Sequence, residues 1–136
     1  WQIQHWKSLE SAYRTSPYFE YYEDELKSLF FKPVRSLFDF NLEGFDLICE
    51  LLEISKSYDF TKEYYKNPSQ LDLRSLVSPK LDLAIKLDPY FQVLNTENDF
   101  IANLSILDLL FNEGPNTVSY LESQKIDFSQ INPIQK

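Results

Sequence analysis

The segment at residues 104–111, Leu-Ser-Ile-Leu-Asp-Leu-Leu-Phe, places the strongest constraint on how this chain can fold. It is apolar on nearly every side, and a helix of that kind is expected to be buried in protein. Gly114 and Pro115 follow it, and these residue types commonly end one helix and start the next. We therefore predict a buried helix at about 104–112 and another at about 115–123.

Apolar spacing predicts three further helices, at about 2–15, 17–31 and 40–53. Ser16 and Pro17 have the residue types of a helix cap and a first helical position. We therefore expect these two residues to open the second helix.

The third helix is expected to bury an apolar stripe formed by Phe45, Ile48, Cys49 and Leu52. Cys49 is the only cysteine, which excludes an internal disulfide and a cysteine-based metal cluster. Because the chain also has a single histidine, we expect no zinc site, and nothing in the sequence implies a cofactor. A buried thiol in a reducing cytoplasm fits this usage.

Bulky aromatic residues are abundant and glycine is scarce: eleven Phe, nine Tyr and two Trp against two Gly. That balance favours packed helices over tight β-turns. Helical spacing fails between residues 55 and 99, where short strands fit at 58–60 and 90–94, and an extended tail is expected after Lys125. The 136 residues therefore predict one mainly α, compact helical domain with an irregular middle region.

The net charge of −8 includes no basic stripe, so we expect no nucleic-acid partner. No apolar run approaches the roughly 20 residues of a membrane span. The chain contains no methionine, and its helical pattern begins at once, without a capping residue in front. We interpret it as a piece of a longer protein.

Ser105, Asp108 and Asn112 interrupt the apolar helix at i, i+3 and i+7, within about 60° of one another. Polar groups on a buried helix must be hydrogen-bonded inside the protein or face a pocket. Either Asp108 and Asn112 satisfy backbone N–H groups of a loop, or Asp108 is a carboxylate placed for acid–base work.

His5 is the only side chain whose ordinary pKa lies near neutrality. It either packs as a structural residue beside an apolar face or acts as a base. A catalytic His5 would need a partner from elsewhere in the fold, with Asp108 or Asp72 as candidates.

Asp72 and Arg74 put an acid and a base two residues apart. They form either a local ion pair or a site at which Arg74 binds an anionic group. The tyrosine pairs at 21–22 and 64–65 are either structural or aromatic walls of a sugar or nucleotide pocket.

Five blocks, in this order, resemble the WbqC-like family. They are Trp-Gln-Ile-Gln-His-Trp-Lys-Ser-Leu-Glu-Ser-Ala-Tyr at 1–13, Ser-Pro-Tyr-Phe-Glu-Tyr-Tyr at 16–22, Asp-Leu-Arg at 72–74, Tyr-Phe-Gln-Val at 90–93, and Asn-Leu-Ser-Ile-Leu-Asp-Leu-Leu-Phe-Asn-Glu-Gly-Pro at 103–115. The resemblance implies the helical C-terminal portion of a bacterial protein connected with O-antigen and other surface polysaccharide synthesis. For the site, it implies the motif positions His5, Trp6, Tyr13, Tyr18, Asp72, Arg74, Gln92, Ser105, Asp108 and Asn112.

Two functional hypotheses follow. In the first, a cytoplasmic transferase acts on a nucleotide-linked or lipid-linked sugar and moves a glycyl or other aminoacyl group to it, with His5 or Asp108 as the base and Arg74 holding an anionic group. In the second, the chain is a non-enzymatic interaction or structural module of a polysaccharide assembly system. Convergence of His5, Arg74 and Asp108 around one cavity favours the transferase, and their separation favours the module.

Overall fold

The computed structural model describes residues 1–74, 86–95 and 100–126, and within them it is mainly helical. The helices are α1 (Gln2–Tyr13), α2 (Phe19–Phe31), α3 (Leu37–Leu51), α4 (Ile106–Glu113) and α5 (Thr117–Ser123), with a 3-10 turn at Gly114–Asn116 before α5. The described residues contain no strand. The predicted mainly α fold class is therefore confirmed.

The core forms where α1 and α2 pack on each other and on α4. Trp6 of α1 lies against Phe19 and Phe30 of α2, with ring centroids 6.0 and 5.8 Å apart. Phe111 of α4 then contacts Phe19 at 5.1 Å and Tyr13 at 5.0 Å. The buried helix predicted from the apolar segment thus reaches the junction of the first two helices.

The connection between α1 and α2 differs from the sequence-based prediction. Ser16 donates its hydroxyl to the carbonyl of Tyr13 at 2.6 Å, and its backbone N–H bonds to the same oxygen. Ser16 therefore closes α1 instead of capping α2, which begins only at Phe19. Expecting Ser16 and Pro17 to open the second helix was wrong, because the serine satisfies the preceding helix.

Helix α3 begins about three residues earlier than predicted because Ser36 is its cap. The Ser36 oxygen accepts from the backbone N–H of Asp39 at 3.1 Å. Only part of the predicted apolar stripe is buried: Cys49 is 7% exposed, whereas Phe45 is 51% exposed. Phe45 instead lies against Tyr58 on the surface, with ring centroids 5.9 Å apart.

The ends of α4 depend on two residues of special type. Ser105 is the cap, accepting from the N–H of Leu107 at 3.3 Å. Gly114 follows the helix at φ 51° and lies against Tyr18. A Cβ at this position would come within 2.5 Å of the Tyr18 ring, so the contact between α4 and the start of α2 requires glycine.

The segments at 58–60 and 90–94 are irregular and do not form the expected strands. In the second one, the N–H of Asn95 bonds to the carbonyl of Gln92 and closes a turn. Neither segment has a partner strand in the described chain, and side-chain packing orders them instead. Apart from Ile126, the tail after Lys125 lies outside the described residues.

Candidate functional site

Asp108 is the centre of the candidate site. It lies in the first turn of α4 and is completely buried. The hydroxyl of Tyr90 donates to its Oδ2 at 2.6 Å, and the amide of Gln92 donates to the same oxygen at 3.4 Å. The other oxygen, Oδ1, has no hydrogen-bond partner in the described chain. A buried carboxyl is thus held by neutral donors, which makes it an unusual group for a core.

The pKa values of two tyrosines are raised by burial and by this carboxyl. Burial, together with the neighbouring Asp108 carboxylate, raises the pKa of Tyr13 to about 12. Burial and the hydrogen bond to Asp108 also raise the pKa of Tyr90. Both phenols therefore stay protonated at neutral pH; Tyr90 donates its proton to Asp108, and Tyr13 lies beside the same carboxyl.

Gln92 and Asn112 fix the segment that holds Tyr90. The Gln92 amide exchanges two hydrogen bonds with the backbone of Ile101, both 2.9 Å long. Asn112 accepts from the N–H of Val93 at 3.3 Å and donates to the carbonyl of Asp108 at 2.7 Å. Asn112 therefore satisfies a loop backbone N–H, as one interpretation predicted for Asp108 and Asn112 together, whereas the side chain of Asp108 accepts from two other side chains instead.

Tyr90 connects the buried carboxyl to two hollows. One, of about 240 Å³, is bounded by the start of α4, by α5 and by Leu87; the other, of about 210 Å³, is bounded by Phe91, Gln92 and Phe100. The Tyr90 ring lines both of them. Ring contacts with Phe100 at 5.3 Å and Tyr120 at 5.2 Å hold it in place.

His5 lies away from this cluster. It is exposed on α1, where its ring contacts that of Trp1 with centroids 5.4 Å apart. Tyr13, eight residues further along the same helix, is the α1 residue next to Asp108, and eight residues span about 12 Å. In the described chain, no hydrogen bond or ion pair joins His5 to Asp108 or Asp72, and a catalytic role for His5 stays a prediction.

Three other predicted positions have structural contacts. Trp6 is 2% exposed in the core, Tyr18 covers Gly114 and donates its N–H to the carbonyl of Phe111, and Ser105 caps α4. Tyr13, Gln92, Asp108 and Asn112 are the predicted positions that the fold brings together. Their binding roles stay predictions.

Asp72 and Arg74 form a separate unit in the loop after α3. Arg74 donates from Nε to Oδ1 of Asp72 at 2.8 Å and from Nη2 to Oδ2 at 2.6 Å. These bonds lower the pKa of Asp72 to about 2. The pair lines a hollow of about 1080 Å³ formed by residues 61–74.

Sequence reasoning missed Tyr90 as a member of the site. A signal was present, since Tyr90 and Gln92 alternate with Phe91 and Val93, which puts the two polar residues on one side of an extended segment. Neither residue type identifies a site by itself, however. Only the fold shows that both side chains reach Asp108.

The geometry defines a class: a mainly helical protein with a buried carboxyl, held by tyrosine and amide donors, beside small hollows. Within the described residues, no helix is long and apolar enough to cross a membrane.

Comparison with known families places the chain more narrowly. A sequence profile of the WbqC-like protein family matches residues 1–87, well over half of the 136 residues, and the chain belongs to that family. No curated protein and no solved structure matches the chain. The match includes α1 to α3 and the Arg74 loop, whereas Tyr90, Gln92 and Asp108 follow the matched residues.

Proposed function

We propose that the chain is part of a transferase in the synthesis of bacterial surface polysaccharide such as O-antigen, and that it moves a glycyl or other aminoacyl group to a sugar. Family membership supports the biological setting. The observation on which the chemistry rests is the 2.6 Å hydrogen bond from Tyr90, which lines two hollows, to the buried Asp108.

Asp108 is completely buried, so a substrate in either hollow would meet Tyr90 first. The acceptor's amine or hydroxyl would give its proton to the Tyr90 oxygen while the phenol proton passes to Asp108. The acceptor atom forms a bond to the carbonyl carbon of the activated amino acid, and the bond to the leaving group breaks with its electron pair. In this scheme Tyr90 touches the substrate and Asp108 drives proton transfer through it.

The test is the composition of the surface glycan after deletion of the full-length gene. Mass spectrometry is expected to show the loss of one aminoacyl or acyl substituent, and an unchanged glycan would contradict the proposal. Re-expression of Asp108→Asn is expected to leave the substituent missing, because the amide does not accept the phenol proton. Loss of the substituent with His5→Ala, but not with Asp108→Asn, would place the base at His5 instead.

A second candidate is an interaction module of the same assembly system. It is favoured by the separation of His5, Arg74 and Asp108 and by a row of exposed aromatic rings. Phe38, Phe60, Tyr58 and Phe45 follow one another with centroids 5.8, 5.6 and 5.9 Å apart, and each is at least 41% exposed. A glycan defect caused by Phe38→Ser with Phe60→Ser, and absent in Asp108→Asn, would favour the module.

A further inference from the structure

The loop hollow between residues 61 and 74 contains an arginine that is already held in place. Besides its two bonds to Asp72, Arg74 donates from Nη2 to the carbonyl of Tyr65 at 3.0 Å and towards that of Lys66 at 3.4 Å. In the described chain, the hydrogen bonds of Arg74 to carboxylate and carbonyl oxygens come from Nε and Nη2, and none of them comes from Nη1. A guanidinium fixed in this way can present Nη1 to an anion and loses little side-chain entropy when it binds one.

An exposed aromatic ring lies directly beside that guanidinium. The Tyr64 ring has the Arg74 guanidinium carbon 4.9 Å from its centroid and is nevertheless 80% exposed. Its accessible surface is a platform for a second planar ring, and stacking of a nucleobase on tyrosine tolerates any base. Tyr65, 59% exposed, lines the same hollow.

Two cations, Lys62 and Arg74, and two carboxylates, Glu63 and Asp72, line the hollow. Both oxygens of Asp72 are engaged by Arg74, and Glu63 accepts a hydrogen bond from the Tyr65 hydroxyl at 3.0 Å. Asp72 is therefore neutralised by Arg74, Glu63 keeps its charge beside the Tyr65 hydroxyl, and Lys62 is a cation of the lining with no ion pair in the described chain. An anion in the hollow would meet Lys62 and Nη1 of Arg74. The volume of about 1080 Å³ is at the upper end of the range for small-molecule sites.

We propose that this hollow binds a nucleoside diphosphate, with the base stacked on Tyr64 and a phosphate oxygen accepting a hydrogen bond from Nη1 of Arg74. The inference rests on the proposed function in one respect: it takes the sugar acceptor of the transferase to be nucleotide-linked, so that the diphosphate is part of the substrate. It involves none of the residues around Asp108. The two sites can therefore be tested separately.

The test is calorimetric titration of the purified full-length protein with UDP, with uridine and inorganic pyrophosphate as separate probes. UDP is expected to bind at least tenfold more tightly than either fragment, because both contacts are needed. Arg74→Lys, which loses the planar fork, and Tyr64→Leu, which loses the stacking surface, are each expected to weaken UDP binding about tenfold or more.

The matched controls are Arg14→Lys and Tyr21→Leu, since Arg14 is an exposed arginine paired with Glu10 and Tyr21 is 74% exposed on α2. Neither control is expected to change UDP binding. The inference is overturned if UDP does not bind, if Arg74→Lys and Tyr64→Leu bind it like wild type, or if pyrophosphate alone binds as tightly. If UDP does not bind but Asp108→Asn loses the glycan substituent, the nucleotide site is contradicted and the proposed function is still supported.

Discussion

At the residue scale, Asp108 is unusual because neutral groups surround a buried carboxyl. Tyr90 and Gln92 donate to one oxygen, and no lysine or arginine of the described chain pairs with the other. Burial and the neighbouring Asp108 carboxylate both disfavour the ionised form of Tyr13 and Tyr90. The tyrosines beside it therefore hold their protons more tightly than tyrosines in water.

Ionisation of Tyr13 makes the free energy of unfolding depend on pH. Its pKa in the folded protein is about 12, against an ordinary value of 10.0, so folding favours the protonated phenol. The resulting stabilisation is complete below pH 10 and is lost as the pH rises towards 12. We expect the free energy of unfolding to fall by at most about 3 kcal/mol over that range through this group.

Urea denaturation of wild type and Tyr13→Phe at matched pH values measures the Tyr13 contribution. The variant lacks the titrating phenol, so its stability should decline less steeply between pH 10 and pH 12 than that of wild type. Lysines titrate in both proteins and cancel in the comparison. Equal slopes would show that Tyr13 does not titrate with a raised pKa.

The sequence identified several residues of the Asp108 cluster, but it did not show which of them are in contact. Asp108 and Asn112 were visible as polar residues on an apolar helix. Whether His5 or another α1 residue lies next to Asp108 depends on the point along α1 at which α4 makes contact. That point is set by tertiary packing and not by the pattern of either helix. Tyr90 was missed because a tyrosine next to a phenylalanine looks like any packed aromatic pair.

At the element scale, caps and glycines decide where the helices end and meet. The burial of α4 was predictable from sequence because the segment is apolar on nearly every side. Gly114 and Pro115 indicated where it ends. The Ser16 assignment failed for a local reason: a serine between two helices has the same residue type whether it closes the first or opens the second. Phe45 is exposed because α3 packs on the core through other residues, Phe40, Leu47 and Leu51 among them, and spacing along one helix does not reveal which apolar face is covered.

Substitution by alanine is expected to change the stability in opposite directions at the two glycines. Gly114→Ala places a Cβ 2.5 Å from the Tyr18 ring at a residue with φ 51°, so we expect a loss of about 2 kcal/mol or more. Gly44 is inside α3 and its Cβ would make an ordinary contact with Leu29 at 3.4 Å. Gly44→Ala should therefore be neutral or stabilise by up to about 1 kcal/mol.

Chemical denaturation of both glycine variants measures these effects, and Gly44→Ala is the matched control for Gly114→Ala. If Gly114→Ala were as stable as wild type, α4 and the start of α2 would not meet as closely as the structure has them. If Gly44→Ala were strongly destabilising, the packing of α3 on α2 would be tighter than described.

At the scale of the whole molecule, most polar positions predicted from the sequence fall into two separate groups, whereas His5 lies apart on α1 and Ser105 caps α4. One surrounds Asp108 where α1, α4 and the segment at 86–95 meet, and the other surrounds Arg74 in the loop after α3. Helix patterns predicted the mainly α fold because their signal is local. The grouping of the site residues depends on long-range contacts of irregular segments, for which the sequence contains no periodic signal.

The most direct test of the proposed function is the surface glycan made by cells in which the full-length protein with Tyr90→Phe replaces the wild-type protein. The change removes only the hydroxyl that donates to Asp108, and Tyr58→Phe, whose hydroxyl donates to the partly exposed Asp46, is the matched control. With both variants present at wild-type abundance, mass spectrometry should show the aminoacyl substituent lost in Tyr90→Phe and kept in Tyr58→Phe. A glycan that keeps the substituent in Tyr90→Phe would contradict a transfer reaction that depends on Tyr90 and Asp108.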